Sequence, residues 1–95
     1  MSLRFAWDEK KAVADLSKHG VSFEEALTVF ADPLARIFGD EEHSSDEPRE
    51  IIIGHTTKQR LMVVCFTVRG ETLRLFSARR ATRKEQQDYE ENVGS

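Results

Sequence analysis

Three runs of β-favouring residues, joined by connections too short for a crossover, constrain this chain more than anything else in it. Arg49–Thr56, Arg60–Val68 and Thr72–Ala78 are rich in Ile, Val, Phe and Thr, whose side chains suit a pleated, half-buried surface. Only Thr57-Lys58-Gln59 separates the first two runs, and Arg69-Gly70 opens the turn before the third. Links of that length can only fold back on themselves, so the runs pair as antiparallel hairpins. A shorter run, Leu34–Phe38, adds a further strand, and the polar stretch Gly39–Pro48 between is a loop.

Ahead of this block the pattern turns helical. Leu3–Trp7 reads as a short strand, and Asp8 is a suitable N-cap for a helix over Glu9–His19. Ala12, Leu16 and His19 recur at helical spacing, and Gly20 supplies the left-handed residue that ends the helix. Ser22 and Glu25 form a capping box, Val21 can staple to Ala26, and Phe23, Ala26, Leu27 and Phe30 form a buried stripe. Asp32-Pro33 stops that second helix. Thr82 and Glu85 form another capping box, which opens a last helix to about Asn92 with only Ala81, Tyr89 and Val93 to bury. The expected fold is α+β, in the order β-α-α-β-β-β-β-α: an antiparallel meander with a helical hairpin before it and a helix after it. The 95 residues make one domain, residues 1–95.

Composition excludes several classes. At 39% hydrophobic and 33% charged, the chain is too apolar to be disordered. No apolar run approaches the ~20 residues that span a bilayer, so no membrane role is expected. Met1-Ser2-Leu3-Arg4 does not open a signal peptide, and a cytoplasmic location follows as the expectation. The single cysteine, Cys65, excludes an internal disulfide and a cysteine-based zinc site; in its apolar run it reads as a buried thiol.

The net charge of −3 conceals a segregation. Asp40–Glu50 holds six acids against Arg49, whereas Lys58–Lys84 holds eight bases against Glu71. The basic segment is also the apolar heart of the chain. Those two properties are compatible if the sheet has one apolar face and one cationic face, an arrangement suited to a polyanion.

No glycine-rich phosphate loop, nucleophile elbow or His-Glu-x-x-His helix is present. Of the three histidines, His19 is either a C-terminal helix cap or, together with Lys18, a proton-transfer group beside a cation. His43 lies in the acidic loop, where a solvated imidazole is a better reading than a metal ligand. His55 ends a strand and is either a surface residue or an acid/base group. Arg79 and Arg80 adjoin where the last strand passes into the last helix, and planar guanidinium forks there can hold a phosphodiester. Neighbours in a strand point to opposite faces, so both reach one ligand only if the strand ends before them.

These residues resemble a known family. Phe5-x-Trp7-Asp8-x-x-Lys11, Lys18-His19-Gly20-Val21-x-Phe23-x-x-Ala26 and Asp32-Pro33 are similar to the N-terminal half of the BrnT toxins. Asp40-x-x-His43-Ser44-x-x-Glu47-x-Arg49, Ile53-Gly54 and Ser77-Ala78-Arg79-Arg80-Ala81-Thr82-x-x-Glu85 resemble the rest of them. The resemblance implies a toxin of a type II toxin–antitoxin system with a RelE-like fold, cleaving RNA without a metal or other cofactor. It implies as partner a BrnA-like ribbon-helix-helix antitoxin, with operator DNA reached only through that antitoxin. It places Lys18, His19, His55, Arg79 and Arg80 at the RNA site, and strand geometry adds Arg60 beside the turn. In the expected reaction the RNA 2′-hydroxyl attacks the adjacent phosphate. His19 or His55 moves the proton, Arg79 and Arg80 stabilise the dianionic transition state, and Lys18 and Arg60 hold the backbone. The alternative is a non-catalytic homologue that serves as an antitoxin-binding module in transcriptional control.

Overall fold

A computed structural model describes residues 4–39 and 48–93. His43 and the acids Asp40–Glu47 lie outside the described residues. The elements are β1 (Arg4–Ala6), α1 (Glu9–His19), α2 (Phe23–Leu27), a 3₁₀ turn (Thr28–Ala31), β2 (Arg36–Gly39), β3 (Glu50–His55), β4 (Leu61–Arg69), β5 (Thr72–Arg80) and α3 (Arg83–Val93). No helix among the described residues is long and apolar enough to cross a membrane.

Local chemistry sets the helix ends. Asp8 accepts the Lys10 amide at 2.8 Å, and Gly20, at φ 68°, closes α1 by donating to the Leu16 carbonyl. Ser22 caps α2 through the Glu25 amide at 3.0 Å. The reciprocal half of that capping box does not form, because the Glu25 side chain turns inward to Arg60 and Thr56. Thr82 and Glu85 do make the full box: each side chain accepts the other's backbone N–H, at 3.2 and 2.8 Å. The second helix tightens into the 3₁₀ turn after Leu27 and stops before Pro33.

The sheet is mixed, with order β1-β5-β4-β3-β2. β2 to β5 pair antiparallel in sequence, but β1 lies parallel to β5 as its outer neighbour, so the sheet is not the simple meander expected. That parallel pairing is possible because the helical hairpin and three further strands separate the two in the chain, long enough for a crossover.

The two faces of the sheet have different fates. One is covered by α1, α2 and the 3₁₀ turn over a core of Val21, Phe23, Ala26, Val29, Ile52, Met62, Val64, Phe66, Leu73, Leu75 and Ala78. Among the described residues the other carries a small cluster in which Tyr89 of α3 packs on Ile53 and Val63. A bulge decides which residues of β5 reach which face. Cys65 pairs with Ser77 and Phe66 with Leu75, so Phe76 is the extra residue. With a side-chain period of two, that insertion reverses the facing of everything after it. Leu73 and Leu75 before the bulge, and Ala78 after it, all enter the same core.

One stripe differs from the sequence reading. On α1 it is Asp15, 3% exposed, that faces the sheet, while Leu16 is half exposed. The stripe that faces inward is Ala12–Asp15–His19.

Candidate functional site

Asp15 is where the site begins. β1 pairs β5 only along Thr72–Arg74, so among the described residues the β5 backbone beyond has no strand on that side. The Asp15 carboxylate fills the gap: Oδ2 accepts the Ala78 amide at 3.1 Å, and Oδ1 takes the Lys11 ammonium at 3.0 Å. A buried acceptor needs such donors, and here they fasten α1 to β5. His19 lies one turn beyond Asp15 on the same side of the helix, and Arg80 lies two residues beyond Ala78 on the same side of the strand. Arg80 is the cross-strand partner of Met62, a core residue, which confirms that it points to the helix-covered face.

Arg60 approaches the same end from the turn that leads into β4. Its Nε donates to Glu25 Oε2 at 2.8 Å, and its Nη2 bonds both Glu25 Oε1 and the Gly20 carbonyl, directly after His19. The Arg60 guanidinium holds the Glu25 carboxyl below the usual carboxylate range; burial opposes this, and a 2.8 Å hydrogen bond from the Thr56 hydroxyl assists it. Lys18, His19, Arg60 and Arg80 are thus brought to one end of the molecule, on the side of the helical hairpin. Among the described residues Lys18, His19 and Arg80 have no ion-pair partner. Lys18 and His19 also occupy the last turn of α1, where the dipole favours cations.

Arg79 and His55 are on the opposite face. Arg79 pairs across β4 with Val63, which pairs with Ile53 of β3, which in turn pairs with Arg36 of β2. Its two Nη atoms each donate at 2.8 Å to the two Glu85 oxygens, a bidentate fork. Arg79 holds the Glu85 carboxyl down at about 2 against burial, helped by the Thr82 amide. His55 has its backbone N–H on Asp32 Oδ2 at 2.7 Å, its Nδ1 3.8 Å from the same oxygen, and its ring edge-on to Tyr89. Asp32 is pushed up by burial, yet the amides of His55 and Leu34 and the Tyr89 hydroxyl outweigh that and leave it below its ordinary value. Burial and the Asp32 charge raise Tyr89. Between α3 and the sheet lies a cleft of about 310 Å³, floored by Ile51, Ile53 and Val63 and flanked by Arg36 and Arg79.

The six residues singled out by sequence therefore fall into two groups at the same end of the sheet, four on the helix-covered face and two beneath α3. The buried carboxylates Asp15 and Glu25 and the half-buried Asp32, which position both groups, were not singled out. Asp15 carried a usable signal, an acid at i+3 and i−4 from Ala12 and His19. Among the described residues no three His, Cys, Asp or Glu side chains gather as a metal site.

The chain's relatives share this architecture and its sequence pattern. The crystal structure of the ribonuclease toxin BrnT from Brucella abortus superposes with a TM-score of 0.68 at 25% identity, over 86% of this chain and 100% of that one. No curated protein matches the sequence. The profile of the family described as ribonuclease toxin, BrnT, of type II toxin–antitoxin system matches residues 7–85, a span that includes α1, the whole sheet except β1, and the Arg79–Glu85 junction. The chain belongs to the BrnT family of ribonuclease toxins of type II toxin–antitoxin systems.

Proposed function

We propose that the chain is an active, RelE-like endoribonuclease that cuts RNA without a metal ion, and that its reacting group is the set gathered on the helix-covered face. The observation that carries this reading is the Asp15–Ala78 hydrogen bond, which draws the Lys18-His19 end of α1 to the end of β5 that bears Arg80. Cations without a carboxylate partner are available to a phosphodiester, whereas those already forked to one must break that bond first.

In this mechanism the His19 imidazole accepts the proton of the ribose 2′-hydroxyl as O2′ bonds to phosphorus. Arg80 and Lys18 neutralise the non-bridging oxygens as the second negative charge develops. The O5′–phosphorus bond breaks, and the proton held by His19 passes to O5′, leaving a 2′,3′-cyclic phosphate and a 5′-hydroxyl. Positioned proton transfer of this kind supplies ~10²–10⁴-fold. Arg60, tied to Glu25 and Gly20, positions the backbone around His19.

A second reading rests on the cleft beneath α3. His55 beside the Asp32 carboxylate is a histidine oriented by an acid, and Arg79 and Arg36 flank the cavity next to it. In that reading Glu85 releases Arg79 when a phosphate arrives.

The proposed partner is a BrnA-like ribbon-helix-helix antitoxin, through which the pair reaches operator DNA, and the proposed setting is the cytoplasm. Purified protein incubated with RNA and excess chelator tests the reading. It predicts undiminished cleavage with cyclic-phosphate ends. Loss of cleavage on chelation removes the metal-independent mechanism, and a protein that never cuts RNA yet binds its antitoxin tightly is the non-catalytic binding module instead.

A further inference from the structure

The open half of the second sheet face carries arginines that neither group above uses. The bulge leaves Thr72, Arg74 and Phe76 of β5 on this side, and they line a groove of about 530 Å³ with Arg69 of β4 and Ala6 of β1. Arg4 joins them, because it is the register partner of Thr72 and lies two residues from Ala6 on the same face of β1. α3 does not reach this part of the sheet: its buried side chain, Tyr89, packs on Ile53 and Val63, whose β5 neighbour is Arg79, at the other end of the strand from Thr72.

Adjacent strands lie ~4.8 Å apart. Arg4, Thr72 and Arg69 form one row across β1, β5 and β4, and Ala6, Arg74 and Thr67 form the next. Arg4 and Arg74 are exposed, and both stand on backbone fixed by pairing rather than on a loop. Phe76 supplies a half-buried aromatic at the groove wall, with the Arg49 guanidinium 4.1 Å from its ring centre. Cations fixed on successive rows beside an aromatic are the features by which single strands are held without regard to sequence: phosphates track the charge and bases find a π-face.

We infer that this groove, centred on Arg4, Thr72 and Arg74, is a second binding track for the backbone of single-stranded RNA, separate from the reacting group. It rests on the ribonuclease reading for its choice of ligand. An acidic segment of a protein partner would meet the same cations, but it would leave unused the aromatic that Phe76, with Arg49 over its ring, adds for a base to lie beside. The groove adds affinity and length preference, not chemistry.

The test measures binding of a short fluorescent 2′-O-methyl oligoribonucleotide, which cannot be cut, at several salt concentrations. Arg74→Glu, alone and with Arg4→Glu, is expected to weaken binding at least ten-fold and to lower the slope of log affinity on log salt by about one per lost phosphate contact. Arg74→Lys should stay within about three-fold of the parent, since a phosphate contact of this kind needs a point charge. With a saturating dinucleotide, too short to span both regions, Arg74→Glu should cut at the parental kcat. That separates the two claims: a protein in which His19 and Arg80 prove irrelevant to cleavage can still show the Arg74 binding effect. Unchanged affinity and salt slope in the double variant would overturn the inference, and so would weakened antitoxin binding with RNA binding intact.

Discussion

Arg79 and Arg80 are adjacent in sequence and end in unlike surroundings. β5 continues through Arg80, so the alternation of a strand sends the two guanidiniums to opposite faces. Arg79 meets Glu85, which the Thr82 capping box has already oriented, and the fork ties the end of β5 to the first turn of α3. The folded pKa of Glu85, about 2, is below its ordinary 4.5. Its contribution to stability is therefore complete above about 4.5 and disappears as pH falls towards 2. Because both partners are partly exposed, the contribution is modest and sensitive to salt. Glu85→Gln should lower the melting temperature slightly at neutral pH and should flatten its decline between those limits; a parental pH profile in that variant would show that the fork does not stabilise the fold. The pair was not legible in sequence, because no spacing rule marks which acid an arginine at the end of a strand will meet. The capping spacing Thr82-x-x-Glu85 was legible, but not that one carboxylate would serve both the cap and Arg79.

At the scale of elements, what could be read depended on periodicity. α1, β3, β4 and the hairpins follow from spacing and short connections, and α1 ends where Gly20 requires it. Two things escaped. The Phe76 bulge is one residue in a run of β-formers, with nothing in composition to mark it, yet it decides that Arg79 rather than Arg80 faces α3. Without it the pair would be exchanged. The parallel β1 escaped because three residues with one sharp alternation carry no sign of strand direction. Gly54 shows how tightly the Asp32–Ala35 connection approaches β3. A Cβ there would stand 2.9 Å from the Ala35 Cβ and 3.1 Å from Asp32 Oδ2, the oxygen that also receives the His55 amide. Gly54→Ala is expected to destabilise the protein by ~1–3 kcal/mol through overpacking. Denaturant unfolding measures this, and a change below ~0.5 kcal/mol would mean that the Asp32 turn yields easily.

For the whole molecule, segregation of charge in the chain becomes segregation of faces. The expectation of an apolar face and a cationic face is met in this form: Ile52, Met62, Val64, Phe66, Leu73 and Leu75 enter the core, while Arg36, Arg74 and Arg79 are on the other side of the same sheet. What sequence did not convey is that the helical hairpin brings its own cations to the end of the covered face, because that depends on a buried aspartate making one hydrogen bond to a strand. In the proposed mechanism the chemistry takes place there and Arg79 is a brace. The most direct test compares cleavage of saturating RNA by two double variants, His19→Ala with Arg80→Ala and His55→Ala with Arg79→Ala, each checked for folding by circular dichroism. Loss of at least ~10²-fold in kcat is predicted for the first, with the second keeping most of its activity. The reverse pattern, with the first pair cutting like the parent, would move the active site to the cleft beneath α3 and contradict the account.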